Sequence, residues 1–268
     1  MSVFKRGKWE TGGARSEENM SIVNERRFLL SPDSDFYVTE AYKTLRTNVI
    51  FSLTDVAGCS VIVVTSGFQH EGKSTTSSNL AISLAQADKK VLLVDCDLRK
   101  PKLSRLLDLN APVGLSNILI DPNLLPNAIV HYKDYSMDVL LSGSIPPNPS
   151  ELLASARMQQ LITKLKGYYD FIILDTPPVN MVTDSVVLAP VADGFLLVVR
   201  AEQADRNSVS HALEQLEYAK ARILGLILNG AAMEHGTYGY GKYGHYGYKY
   251  GYKYGYSGSS DGSTQKTK

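Results

Sequence analysis

A doubly wound, mostly parallel α/β sheet with helices on both faces is the fold this sequence predicts, and three observations predict it. Five runs of strand length are apolar throughout, at 61–64, 91–94, 171–174, 195–199 and 223–228, as strands buried between two helical layers require. Segments with helical patterning separate several of them, and that alternation is the signature of parallel strands joined by crossovers. The first run then leads into Gly67-Phe-Gln-His-Glu-Gly72-Lys73-Ser74, in which two glycines separated by four residues precede Lys and Ser. Between a strand and a helix, that spacing is a phosphate-binding loop.

Taken in order, residues 1–35 are polar and weakly periodic, ending in Ser31-Pro32-Asp33, and are expected to form a flexible arm. A helix is predicted over 36–54, where Ala41, Leu45, Val49 and Leu53 recur every four residues on one face. Further helices are expected at 74–86, 150–166 and 206–221, the last with Val209, Leu213, Leu216 and Ala219 on one side. Pro146, Pro147 and Pro149 stiffen the loop that feeds the second of these, and Ser150 and Glu151 suit its capped start. The folded domain should extend over 36–235. From Gly236 to the end, Gly/Tyr repeats followed by a Ser/Gly/Lys run hold too few aliphatic residues to build a core, so 236–268 is expected to be a disordered tail.

With 268 residues and 44% hydrophobic content, the chain can fill one substantial core. A formal charge of +1 exerts no general pull toward nucleic acid or an anionic membrane, so no nucleic-acid partner is expected. Cys59 and Cys96 fit no metal or redox spacing and read as reduced thiols. The N-terminus lacks the apolar run of a signal peptide, and no stretch reaches the roughly 18 apolar residues of a membrane span. A cytoplasmic protein is the expectation.

The chemistry concentrates at three strand ends. In the loop, Gly67, Glu71, Gly72, Lys73, Ser74 and Thr75 form the candidate nucleotide site: backbone N–H groups cradle phosphate oxygens, Lys73 neutralises the β/γ charge, and the Ser74 hydroxyl ligates Mg²⁺. The next strand ends in Val94-Asp95-Cys96-Asp97-Leu98-Arg99, and a later one in Leu174-Asp175-Thr176-Pro177-Pro178. Carboxylates at the carboxyl edge of a parallel sheet face the ligand crevice. Asp175 can hold Mg²⁺ through water. Asp95 and Asp97 alternate along an extended backbone, so one can serve the metal while the other accepts a proton from an incoming hydroxyl. Either could instead pair with Arg99 or Lys100. Asn229, at the end of the last run, could read an adenine edge or cap the chain's exit from the sheet.

Together these motifs resemble the bacterial tyrosine kinases that regulate capsule and exopolysaccharide synthesis, which share the fold of P-loop ATPases of the MinD/ParA type. The resemblance runs from Glu40 to the tail through Glu40-Ala-Tyr-Lys43-Thr-Leu-Arg46, Gly72-Lys73-Ser74-Thr75, Asp95-Cys96-Asp97-Leu98-Arg99, Ile145-Pro-Pro-Asn-Pro-Ser-Glu-Leu-Leu153 and Asp175-Thr176-Pro177-Pro178. It implies ATP and Mg²⁺ as cofactors, Asp95 as the base toward tyrosine, and Asp97 with Asp175 around the metal. It also implies a ring-like homo-oligomer, an octamer, assembled through Glu40, Lys43 and Arg46. The implied partners are a transmembrane activator of the polysaccharide co-polymerase type and a cognate tyrosine phosphatase, placing the protein at the inner face of the membrane through its partner. Two positions depart from the family pattern. His70 stands where the family has Gly, and Lys43 stands where it has Arg, which alone makes a bidentate carboxylate contact.

Nine of the sixteen tyrosines cluster in the tail: Tyr238, Tyr240, Tyr243, Tyr246, Tyr248, Tyr250, Tyr252, Tyr254 and Tyr256. These are the expected autophosphorylation sites. Lys242, Lys249 and Lys253 make the segment basic, and each phosphate adds about −1.5 to −2 charges, so three or four would reverse its sign. Two other readings compete. A partition or division-site ATPase shares the fold but carries Lys after the first loop glycine, where this chain has Phe68. Alternatively, the Gly/Tyr/Lys tail could bind single-stranded nucleic acid or drive self-association. Eukaryotic-type kinase and GTPase signatures are absent.

Overall fold

A computed structural model describes residues 25–231. The tail tyrosines and residues 1–24 lie outside the described residues. Within it, seven strands form one sheet in the order β3-β4-β2-β5-β1-β6-β7. In chain order these are β1 (Ser60–Ser66), β2 (Val91–Asp95), β3 (Ile129–Tyr132), β4 (Met137–Leu140), β5 (Phe171–Asp175), β6 (Gly194–Arg200) and β7 (Ile223–Asn229). All neighbours pair in parallel except β3 with β4. The five apolar runs form five of the six parallel strands, β4 being the sixth, and every residue of β1, β2 and β5 is buried. The short β3–β4 edge pair was not foreseen, because β3 is half-buried and lacks a continuous apolar run.

Helices cover both faces. On one side lie α1 (Phe36–Ser52), α2 (Lys73–Ala85) and α3 (Leu103–Leu106), whose Val49, Leu80, Ile82, Leu84, Leu103 and Leu106 pack on Ile62, Val64, Leu93 and Ile173. On the other lie α4 (Leu115–Ile120), α5 (Pro149–Leu153), α6 (Ala156–Leu165) and α7 (Arg206–Tyr218). Their Leu115, Leu119, Leu153, Ile162 and Leu216 meet Val61, Val63, Leu92 and Leu174. Alternate residues of one strand thus enter opposite cores, and this is why the strands read as unbroken apolar runs.

Two details differ from the sequence reading. The helix expected over 150–166 is broken at Ala154 and Ser155, where Ser155 turns extended (ψ 153°) and its side chain accepts from the Met158 N–H to start α6. Residues 25–35, assigned to a flexible arm, are docked on the core. Leu29 and Leu30 are buried, and the Asn79 side-chain amide on α2 grips both sides of them, accepting from Leu30 N and donating to Phe28 O, each at 2.8 Å. The missed signal was the apolar triplet Phe28-Leu29-Leu30.

The α6 cap yields a stability test. Ser155→Ala removes the side-chain acceptor at the helix start, and chemical denaturation is expected to report a loss of about 1 kcal/mol.

Candidate active site

The sheet order brings the three motifs together, because β1, β5 and β2 are consecutive and their carboxyl ends carry the loop, Asp175 and Asp95 in turn. Asp95 and Asp175 are register partners on adjacent strands. The loop 67–72 passes from β1 into α2, whose first residue is Lys73. Glu71 shapes it from within, accepting from the Phe68 N–H at 2.7 Å.

Gly72 stands at φ +89°, and a Cβ there would lie 2.0 Å from Asn229 Nδ2. Asn229 itself donates to the Glu71 carbonyl at 2.9 Å. The end of the last strand therefore braces the phosphate loop, and Asn229 is seated at the cavity while its amide is engaged with the loop backbone. His70 occupies the left-handed region at φ 66°, a conformation glycine adopts without steric cost and other residues at roughly 1 kcal/mol or more. The Arg200 guanidinium donates to the His70 carbonyl at 3.2 Å and helps hold that turn.

Lys73 and the acids form a compact, buried group. Lys73 Nζ lies 3.6 Å from Asp97 Oδ2, both side chains largely buried. Asp97 Oδ1 accepts from the Lys100 N–H at 2.9 Å. Asp95 is fully buried, and its two oxygens accept from the N–H groups of Asp97 and Leu103, each at 3.2 Å. Burial raises its pKa well above the ordinary carboxylate value, with Asp175 and Asp97 adding repulsion. Asp175 is also raised by burial, opposed chiefly by Lys73. Ser77 Oγ donates to Asp175 Oδ1 at 3.0 Å, and the nearby Ser74 hydroxyl further offsets the rise.

Asp175 Oδ2 is buried without a hydrogen-bond partner. A buried orphan acceptor facing a loop serine is the donor set that a hydrated Mg²⁺ satisfies, since this ion keeps several waters and takes few protein ligands. The residues fit the ion for that reason.

The other sequence-derived candidates are placed as follows. Arg99 pairs with buried Asp184 at 2.8 Å instead of with Asp95 or Asp97. Ser150 Oγ joins that pair, donating to Asp184 Oδ1 at 2.6 Å, so one carboxylate ties together the segments after β2, β4 and β5. Neither Ser77 nor Asp184 was singled out from sequence; only the spacing of Ser77, one turn beyond Ser74, pointed to it. On α1, Lys43 pairs with Glu40 of its own helix at 2.7 Å, while Arg46 turns inward to the Ser83 carbonyl at 2.6 Å. Thr75 lines a cavity of about 1180 Å³ together with Gly72, Lys73, Ser74 and Asn229. Gly67 is buried beneath it, where an added Cβ would lie 3.3 Å from Asn180 Nδ2. Cys59 and Cys96 are free and buried.

The sheet, the loop and the acids at its carboxyl edge define a P-loop nucleotide-binding protein. Residues 59–244 match the ParA family model, described as an NUBPL iron-transfer P-loop NTPase. The septum site-determining protein MinD of Pyrococcus horikoshii OT3, complexed with Mg-ADP, superposes with a TM-score of 0.56 at 26% identity, over 65% of this chain and 72% of its own. Similarity within that class is more specific. Tyrosine-protein kinase YwqD of Bacillus subtilis (strain 168) is 39% identical over 237 residues, 88% of this chain and 94% of the relative. Tyrosine-protein kinase CpsD of Streptococcus agalactiae is 40% identical over 209 residues, 78% and 89% of the two chains. The kinase domain of the Escherichia coli tyrosine kinase ETK superposes with a TM-score of 0.71 at 36% identity, over 76% and 80%. This chain belongs to the bacterial tyrosine-protein kinases. The partition-ATPase reading accounts for the fold and gives way on activity.

Two outcomes test the site. Gly72→Ala drives a methyl group into Asn229 and forces an unfavourable φ, so nucleotide binding measured by calorimetry is expected to be lost, with a drop in stability of at least about 1 kcal/mol. The second concerns pH. Asp95 and Asp175 have raised folded-state pKa values, so the native state holds protons more tightly than the unfolded one. Without nucleotide or metal, their favourable contribution is complete below the ordinary carboxylate range and is lost as pH rises through the folded values. Denaturation curves between pH 4 and 8 should show a decline that Asp95→Asn makes shallower.

Proposed function

We propose that this kinase transfers the γ-phosphoryl group of ATP to the tyrosines of its own C-terminal segment, Tyr238 through Tyr256, on a neighbouring subunit. The observation that carries the reading is where the chain leaves the domain. Gly230 and Ala231 border the same cavity as Lys73 and Ser74, and Tyr238 follows seven residues later. At about 3.3–3.6 Å per residue, the first tyrosine is tethered within roughly 25 Å of its own phosphate loop, and the later ones, up to Tyr256, have enough further chain to reach the loop of a neighbouring subunit. Unmodified, the segment carries lysines and no acid, and the site it meets holds three carboxylates.

Each residue then has a task. The loop amides and Lys73 hold and neutralise the phosphates. Ser74, Asp97 and Asp175 would hold Mg²⁺, which supplies charge neutralisation to the phosphoryl group in flight. Asp95 accepts the tyrosine proton; burial makes it the stronger proton acceptor once ionised. It is fully buried, with both oxygens bonded by the Asp97 and Leu103 N–H groups, so acceptor binding must displace those amides. Coupling acceptor entry to opening would keep water from taking the phosphoryl group.

The regulatory reading follows from charge. A basic tail is attracted to acidic sites, and phosphorylation reverses the attraction. Subunits would therefore gather as a ring, an octamer in the family's manner, when unphosphorylated. They would separate when modified and reassemble after a cognate phosphatase acts. Lys43 and Arg46 already have partners within their own chain, so ring assembly through α1 would exchange those contacts for intermolecular ones. Among the described residues, no helix is long and apolar enough to cross a membrane. Attachment to the inner membrane face would come from a transmembrane activator of the polysaccharide co-polymerase type, with capsule or exopolysaccharide synthesis as the process served.

A mixing experiment tests the transfer. Lys73→Met with an intact tail is incubated with a chain truncated after Ala231, Mg-ATP and a cytoplasmic peptide of the activator. Phosphotyrosine is expected on the Lys73→Met chain. Labelling of wild type alone, with none in the mixture, would establish transfer within one subunit. An absence of phosphotyrosine in every wild-type condition would refute the tail as substrate.

A further inference from the structure

The cavity above the phosphate loop has a second wall that the loop motif does not predict. Beyond Lys73, Ser74 and Thr75 it is bounded by Arg27, Phe28 and Tyr42, supplied by the docked segment 25–35 and by α1. That segment is held at several points. Its Leu29 and Leu30 are buried, Asn79 fixes the backbone on either side, Arg26 Nε donates to the Arg105 carbonyl at 2.8 Å, and Glu25 meets Lys102 at 3.6 Å. Asn79 stands on α2, two turns beyond the loop lysine, so the segment and the phosphate site are registered through one helix.

Phe28 is the anomaly in this wall. It sits between a solvent-facing Arg27 and the two buried leucines, yet the residue is 56% exposed and lines the cavity. The Arg27 guanidinium lies over that ring, 4.8 Å from its centroid, which steadies it by a cation–π contact. An aromatic face backed by a guanidinium accepts a planar, π-bearing ligand of any sequence or substituent pattern. The cavity is continuous from Lys73, where phosphates belong, to this ring, and Asn229 lies along it. A ligand with polyphosphate at one end and a flat heterocycle at the other matches that layout.

We propose that Phe28, backed by Arg27, is the stacking face for the nucleobase of the bound nucleoside triphosphate. The proposal rests on the nucleotide reading of the Lys73–Ser74 site. It makes the N-terminal segment part of the nucleotide site: residues 25–35 close over the base while the loop holds the phosphates. Base recognition by stacking carries little hydrogen-bond discrimination, so affinity depends on the size of the π face and is greater for purines than for pyrimidines.

The test compares two probes on the full chain by calorimetry with Mg²⁺: ATP, and inorganic tripolyphosphate, which has no base. Phe28→Leu keeps an apolar side chain but removes the π face. Because Phe28 is exposed, the variant retains the core. Stacking of this kind predicts ATP affinity about tenfold weaker in Phe28→Leu, tripolyphosphate affinity unchanged within twofold, and recovery of ATP binding in Phe28→Trp. ATP should also slow tryptic cleavage after Arg27, and tripolyphosphate should not. Unchanged ATP affinity in Phe28→Leu would overturn the stacking role while leaving the nucleotide site standing. Parallel weakening of both probes would overturn it by assigning Phe28 a purely structural part. Failure of the wild type to bind either probe would remove the nucleotide site and the stacking face together.

Discussion

Three carboxylates without enough positive charge to balance them are the constraint around which this molecule is organised. Asp95, Asp97 and Asp175 are buried at the carboxyl edge of the sheet with Lys73 as their close cation. Such a group is tolerated only because the fold satisfies most of its oxygens with backbone N–H groups and serine hydroxyls. The remaining imbalance is functional. A site short of cations in its resting state is one that a divalent metal and a basic acceptor segment complete. The deficit is greatest at Asp95, which is raised by burial, by Asp175 and by Asp97, while Lys73 offsets part of the rise at Asp175 and one Asp175 oxygen is left without a hydrogen-bond partner.

The scaffold that supports this strain is correspondingly stiff. Central strands β1, β2 and β5 are wholly buried, and the loops that leave them are tied to one another by groups remote from the reaction. Arg99 and Asp184 join the loops after β2 and β5, with Ser150 from the segment after β4 added to the pair. Asn229 supports the loop after β1, the phosphate loop itself, from the last strand. Bidentate guanidinium–carboxylate pairing fixes both distance and orientation, so the segment that carries Asp97 is held from its far end as well as by the strand.

How much of this could be read from residues alone follows from the range of the interactions. The parallel strands were legible because burial on both faces leaves an unbroken apolar run, and the loop was legible because its chemistry is confined to eight consecutive positions. The β3–β4 edge pair was not, since a half-exposed strand such as 129–132 has no pattern distinct from a loop. The docking of 25–35 was equally hidden: it depends on Asn79, some fifty residues away, and on a groove that exists only once α2 has packed. His70 shows the intermediate case. Its departure from the family glycine was visible, and the structure adds that the backbone there does take the left-handed form. For Asn229, sequence left two readings open. The contact to Glu71 adds a third, a brace for the loop.

The Asn229 contact also makes the domain's exit mechanically significant. The strand that braces the phosphate loop is the one from which the C-terminal chain departs, two residues before Ala231. A tension applied to that chain is delivered first to the end of β7, and from there through one amide hydrogen bond to the loop backbone at Glu71. The Ala201 N–H to the Asn229 carbonyl, at 2.8 Å, ties the same residue to the segment after β6, so the chain's exit, the neighbouring strand and the phosphate loop meet at one residue.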